Sequence, residues 1–145
     1  MTIENLASQL CNMPKKEITK LVKKHTVLYF LSNEVRGLNV LHLLAWLDGA
    51  ENAILVIANA YPELLLMTYG RHNSTPLHIA ATCPFDSKKN VKAIMKCAKK
   101  HGLSPMKLLR SKNEIGTPAK EAFEHGNIKI YNYLSKKERK ILQSK

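Results

Sequence analysis

The chain is short of the residues that cross-linking, metal binding and membrane insertion draw on. It has three cysteines, Cys11, Cys83 and Cys97, an odd number with no C-x-x-C spacing. That pattern points to reduced thiols in a cytoplasmic, reducing compartment rather than to a disulfide framework. No His or Cys residues stand at the short regular spacing of a zinc site, so neither a metal nor another cofactor is expected. No apolar run approaches the ~18 residues a membrane helix needs. The opening MTIENLASQL carries Glu4 and has no basic region leading into an apolar core, so no secretory signal is expected. The phosphate-loop, dinucleotide, zinc-protease and nucleophile-elbow motifs are all missing. Acidic residues are few, 11 against 23 Lys and Arg, and scattered. No catalytic residue is assigned, and the chain is expected not to be an enzyme.

What is present is a chain of 145 residues, 45% of them hydrophobic, enough for one domain with a core of its own. The charge is uneven. Residues 1–85 hold 7 Lys/Arg and 6 Asp/Glu, a net of +1, whereas residues 86–145 hold 16 and 5, a net of +11. Such asymmetry fits an acidic partner, be it a nucleic acid, an anionic surface or an acidic protein. It equally fits a solvated surface.

Three segments are self-similar: RGLNVLHLLAW (36–46), RHNSTPLHIAA (71–81) and NEIGTPAKEAF (113–123). With Asn39, Thr75 and Thr117 as equivalents, the spacings are 36 and 42. Each segment is followed by an apolar-periodic stretch, AENAILVIANA, NVKAIMKCAKK and NIKIYNYLSKK. Each unit therefore predicts a turn, a short helix, a turn and a second helix. Thr75 is placed to cap a helix with Pro76 at its first position. Leu77, Ala80 and Ala81 form an apolar face, and the two alanines permit close approach of another helix. In the second helix Val91, Ile94, Met95 and Ala98 share one face. Lys89, Lys92, Lys96, Lys99 and Lys100 lie on others, as a basic patch.

Thr75–Ala81 resembles the T-P-L-H-x-A-A signature of ankyrin repeats position for position. Leu41 and His42 match it in the first unit, where Asn39-Val40 replace Thr-Pro and Leu44 stands at the first alanine. The third unit keeps Gly116, Thr117, Pro118 and Ala122 but has Ala119-Lys120 for Leu-His, as a terminal cap would. Both spacings exceed the roughly 33 residues of the family repeat; the extra length lies around CPFDS and GLSPMKLLRSK. The resemblance implies an all-α solenoid of about three helix-turn-helix repeats (34–69, 70–111, 112–135) with helical caps. Residues 1–33 then form an N-terminal helical cap or degenerate repeat, with Ile18, Leu21, Val22, His25 and Leu28 as an apolar stripe. Residues 136–145 form a basic tail or helix end whose Ile141 and Leu142 are expected to dock on the final repeat.

The resemblance also makes His42 and His78 structural, their rings bonding to neighbouring loops. Recurrence of one His at a regular period agrees with that, because catalysis rarely needs the same group twice. His101 and His125 each precede a glycine near a predicted helix end, where a His can satisfy late carbonyls. Function, by the same resemblance, is protein binding through turn tips and the concave face lined by the first helices. The implied tip residues are Val35, Arg36 and Leu38, then Arg71, His72 and Ser74, then Asn113, Glu114 and Ile115. Trp46, the single tryptophan, is the concave-face candidate. Asn73 stands where the family usually has Gly, and Asn tolerates the left-handed backbone required there. The expected role is that of an adaptor or inhibitor, a monomer on its own, binding another protein, acidic in one version. The irregular repeats and Lys/Asn/Ile-rich composition fit a pathogen effector delivered to a host cytosol or nucleus. The alternative is nucleic-acid or anionic-surface binding through the lysine-rich C-terminal half.

Overall fold

The computed structural model describes residues 2–143, and among these the chain is all-α, with nine helices and two short 3-10 turns. The helices are α1 (Ile3–Cys11), α2 (Lys15–Lys24), α3 (Val40–Leu44), α4 (Glu51–Ala60), α5 (Pro76–Ala81), α6 (Lys89–Lys100), α7 (Pro105–Leu109), α8 (Pro118–Glu124) and α9 (Ile128–Gln143). They pack in two rows. One row runs α1 on α3, α3 on α5 and α5 on α8; the other runs α2 on α4 and α4 on α6, with α7 and α9 following.

The first-row helices after α1 are only five to seven residues long, too short to persist alone. Their ends are therefore held by caps. Asn39 Oδ1 accepts from the Leu41 amide at 2.8 Å, Thr75 Oγ1 from His78 at 3.3 Å and Thr117 Oγ1 from Lys120 at 3.2 Å. Pro76 and Pro118 take the first helical position, where no amide is needed. Ala80 and Ala81 are fully buried, and α5 makes contact with α3, α6 and α8. Across the rows Leu41, Leu44, Ile54, Ile57, Leu77, Val91, Ile94 and Ala98 form one continuous core.

Two stretches differ from the sequence expectation. The N-terminal helix pair is present, but its apolar stripe ends at Val22, because α2 stops at Lys24. His25 lies beyond it in extended backbone, stacked on Tyr29 at 3.7 Å, and Leu28 is 70% exposed. At the other end, α9 continues without a break at residue 135, so the expected tail is the end of that helix as far as Gln143. Ile141 packs against the core whereas Leu142 is exposed; Ser144 and Lys145 lie outside the described residues. The extra length after Ala81 resolves into a loop that carries Asp86 and the one-turn helix α7.

Successive turns touch. Gly37 has φ +83°, and a Cβ there would collide with the Thr68 carbonyl oxygen of the next turn. Gly49 has φ +77° with open space around it. Both should resist alanine by about 1–2 kcal/mol for the left-handed backbone. Gly37→Ala is expected to lose clearly more than Gly49→Ala in urea denaturation, and equal losses would contradict the turn-to-turn contact.

Candidate partner-binding site

The turn tips are built by local hydrogen bonds. In the first, Leu31 and Asn39 form an isolated bridge, and Ser32 Oγ accepts from the amides of Glu34 and Val35. In the second, Tyr69 bridges Ser74 around Gly70–Asn73, with Asn73 at φ 55°, the left-handed conformation expected of it. In the third, Asn113 Oδ1 accepts from Ile115 and Gly116, each at 2.9 Å.

Two buried histidines set these tips on the first row. The Asn39 amide donates to His42 Nδ1 at 3.2 Å, so the ring proton is on Nε2. That proton faces the carbonyls of Met67 at 3.0 Å and Ser74 at 3.1 Å, in the second turn. One unit later the Thr75 amide donates to His78 Nδ1, and Nε2–H faces the Gly116 carbonyl at 3.0 Å, in the third turn. Each imidazole thus joins its own helix start to the following tip. Burial pushes the His42 pKa down to about 4 and lowers that of His78 as well. Both rings are neutral at pH 7 and serve as fixed hydrogen-bond hubs. Neither has a nucleophile and an orienting carboxylate beside it.

The structure sorts the sequence-predicted contact residues. Val35, Arg36, Arg71, His72 and Glu114 are exposed at the tips. His72 Nδ1 meets Glu114 Oε2 at 3.3 Å, and the Glu114 amide donates to the His72 carbonyl, so the second and third tips are linked. Leu38 does not belong with them. It is 5% exposed, because alternation along the turn points it inward as its carbonyl receives the Ser32 amide. Asn113 is half-buried and consumed internally, its Nδ2 donating to Ser74 Oγ and Glu121 Oε1. Ser74 is half-buried for the same reason, and Ile115 is also half-buried. Leu41, Thr75, Pro76, Leu77, Ala80 and Pro118 are buried; Thr117, half-buried, caps α8.

Trp46, just past the end of α3, is 50% exposed. It borders an open, largely apolar cleft of about 390 Å³ with Ala7 of α1, Leu43 and Leu47 around α3, Tyr69 of the second tip and Ile79 of α5. Glu4 stands at the rim and also borders a second cleft beside Leu28 and Val35. The first row therefore presents an apolar recess at Trp46 and, across Glu4, a separate cleft beside the first tip. The expected lysines of α6 are all exposed on the opposite, second row.

Sequence reading missed three structural residues. Asn90 Nδ2 donates to the carbonyls of Leu44, Ala45 and Leu47, at 3.3, 3.1 and 2.9 Å. Asn127 Nδ2 does the same for Ala81 and Cys83, at 2.8 and 2.9 Å. The signal was the Asn that opens both NVKAI and NIKIY. Asp86 caps α9, its carboxylate accepting from the Lys129 and Ile130 amides at 3.1 Å each. His125 accepts its expected role through Glu121 O at 2.9 Å, whereas His101 reaches Asn59 Oδ1 at 3.1 Å instead of a late carbonyl. Cys83 and Cys97 are buried, and burial raises the thiol pKa of Cys97 and of Cys11. Among the described residues no three His, Cys, Asp or Glu side chains gather as metal ligands, and no helix is long and apolar enough to cross a membrane.

Compared with protein-family models, with curated proteins and with solved structures, the chain finds no match.

The neutral state of His42 gives a pH dependence with a definite sign. Between its ordinary value of 6.5 and about 4, the unfolded chain binds a proton that the folded chain refuses. Stability is therefore complete above pH 6.5 and falls as pH drops through that window. By pH 4.5 the loss from His42 should reach about 2–3 kcal/mol, and His78 adds to it in the same direction. Urea denaturation of wild type and His42→Gln across pH 7.5–4.5 should show a steeper pH slope in the wild type. Parallel slopes would contradict the buried neutral imidazole.

Proposed function

We propose that the chain is a non-catalytic protein-interaction module, an ankyrin-type solenoid of about three repeats that acts as an adaptor or inhibitor by occupying its partner. The reading is carried by one observation: the apolar recess along the first row, with half-exposed Trp46 in it, bordered by turn tips that two successive histidines hold in register. The His at the same place in consecutive units, each bonded to the next turn, supports the repeat reading and assigns the rings to architecture. Trp and Arg are enriched at binding hot spots; Trp46, Arg36 and Arg71 are exposed, and among the described residues neither arginine lies in an ion pair. Such a surface binds by shape and apolar contact, with charged tips adding orientation.

The test is capture of partners on immobilised wild-type chain, followed by titration of the captured protein. Trp46→Ala is expected to weaken its binding by about tenfold or more, with circular dichroism unchanged. Arg36→Glu with Arg71→Glu should weaken it further, while moderate salt leaves most of the affinity in place. A captured protein that binds the Trp46 and Arg variants as well as it binds wild type would sink this assignment.

A further inference from the structure

The second row carries a surface that the recess does not use. Along α6, Lys89, Lys92, Lys96 and Lys99 are exposed and fall three or four residues apart, so they lie on one face over about 15 Å. Along α9, Lys129, Lys136, Lys137 and Lys140 share a face with Tyr133 by the same periodicity. The fold merges the two sets. The Lys92 ammonium stands 5.7 Å from the centre of the Tyr133 ring, and that of Lys137 stands 5.8 Å from it. One half-buried aromatic ring thus holds cations from both helices, and two lysine stripes become one face.

That face is not neutralised from within. Of the five acidic residues beyond residue 85, Asp86 is turned onto the α9 amides, Glu121 is buried against Asn113, and Glu124, the last residue of α8, is exposed but in no ion pair with the lysines among the described residues. Glu138 pairs with Arg110 at 3.1 Å and Glu114 with His72. Among the described residues, no lysine beyond residue 85 lies in an ion pair.

The chemistry of the face selects among anionic partners. Peripheral membrane helices need apolar side chains to insert beside their cations. The exposed apolar residues of α9 are Ile128 and Leu142, and helical periodicity puts both on the side away from Tyr133. α6 exposes none. Protein interfaces are enriched in Arg and depleted in Lys at their centres, whereas this face gathers lysines around its one half-buried tyrosine. Lysine binds a phosphate as a point charge, and phosphate contacts position a protein without reading sequence. We infer that the joined outer faces of α6 and α9 bind the phosphate backbone of a nucleic acid without base specificity. This surface is separate from the recess and does not depend on the recess's partner.

The experiment is fluorescence anisotropy of the full chain with a short labelled mixed-sequence duplex, across about 50–200 mM salt. Binding should weaken log-linearly with salt and be unchanged when the duplex sequence is scrambled. The variant Lys92→Gln, Lys96→Gln, Lys137→Gln should lose affinity by about tenfold or more and flatten the salt slope by about three. A control with the same charge change on α2, Lys15→Gln, Lys23→Gln, Lys24→Gln, should lose far less; circular dichroism confirms that both variants are folded. The inference is overturned by no binding at the lowest salt, or by equal losses in the two variants. It is also overturned if phosphatidylserine vesicles bind more tightly than the duplex, or if polyglutamate of equal charge displaces the duplex completely.

Discussion

The rest of the structure depends on an imidazole that must stay neutral. His42 and His78 each receive a proton from their own helix's capping amide on one nitrogen and direct the other at a carbonyl in the next turn. Only the neutral tautomer with its proton on Nε2 can do both, since one nitrogen must accept while the other donates. Helices of five and six residues could not fix the position of a neighbouring loop by packing alone. The ring does it by spanning from a helix start to a main-chain oxygen more than twenty residues further on.

From that link the division of labour between the two rows follows. The first row consists of short, capped helices whose outward side chains remain available because their ends are already satisfied. The second row, apart from the one-turn α7, is made of helices of ten to sixteen residues with apolar inner faces, and it closes the ends of the first. Asn90 and Asn127 each reach from the second row to the carbonyls at the end of the first-row helix one unit earlier, α3 and α5 respectively. A buried carbonyl left without a partner costs about 1–3 kcal/mol, and these side-chain amides cover helix-end carbonyls of which, among the described residues, only that of Leu44 also receives a backbone amide, from Leu47 at 3.0 Å. Histidine therefore ties each unit forward through its start, and asparagine ties it through its end.

The same division separates charge from apolar contact. Trp46 and the recess lie on the first row, where the alanines of α5 keep backbones close. The lysines collect on the second row, where only one face of each helix is buried and the other is free to carry charge. With Asp86 used as a cap, Glu121 as an internal acceptor and Glu114 and Glu138 paired with His72 and Arg110, the lysines of α6 and α9 keep their charge on the second row.

What the sequence determined by itself was whatever acts over three or four residues. The Thr75-Pro76 and Thr117-Pro118 starts, the Asn39 cap, the left-handed Asn73, the buried faces of α5 and α6 and the exposed lysines follow from local capping, backbone preference and helical period. The recurrence of His42 and His78 marked the units because a shared architectural role repeats with the architecture. Only the tertiary structure decided where distant segments meet. Leu38 turned out to be core and Asn113 an internal bracket, since a turn's inward side is defined by the turn beside it. Asn90, Asn127 and Asp86 have partners more than forty residues away in the chain, so the recurring Asn that opens NVKAI and NIKIY could mark a shared role without saying which carbonyls it meets. Trp46 could have been core or surface on its spacing alone, and in the structure it borders an open cleft with Ala7 and Ile79 and stays half-exposed. The lysines of α6 and α9 became one face only when packing brought Lys92 and Lys137 to the same tyrosine ring. Short-range hydrogen bonding and period are written into adjacent residues, whereas contacts across 25 to 46 residues exist only once the core has closed.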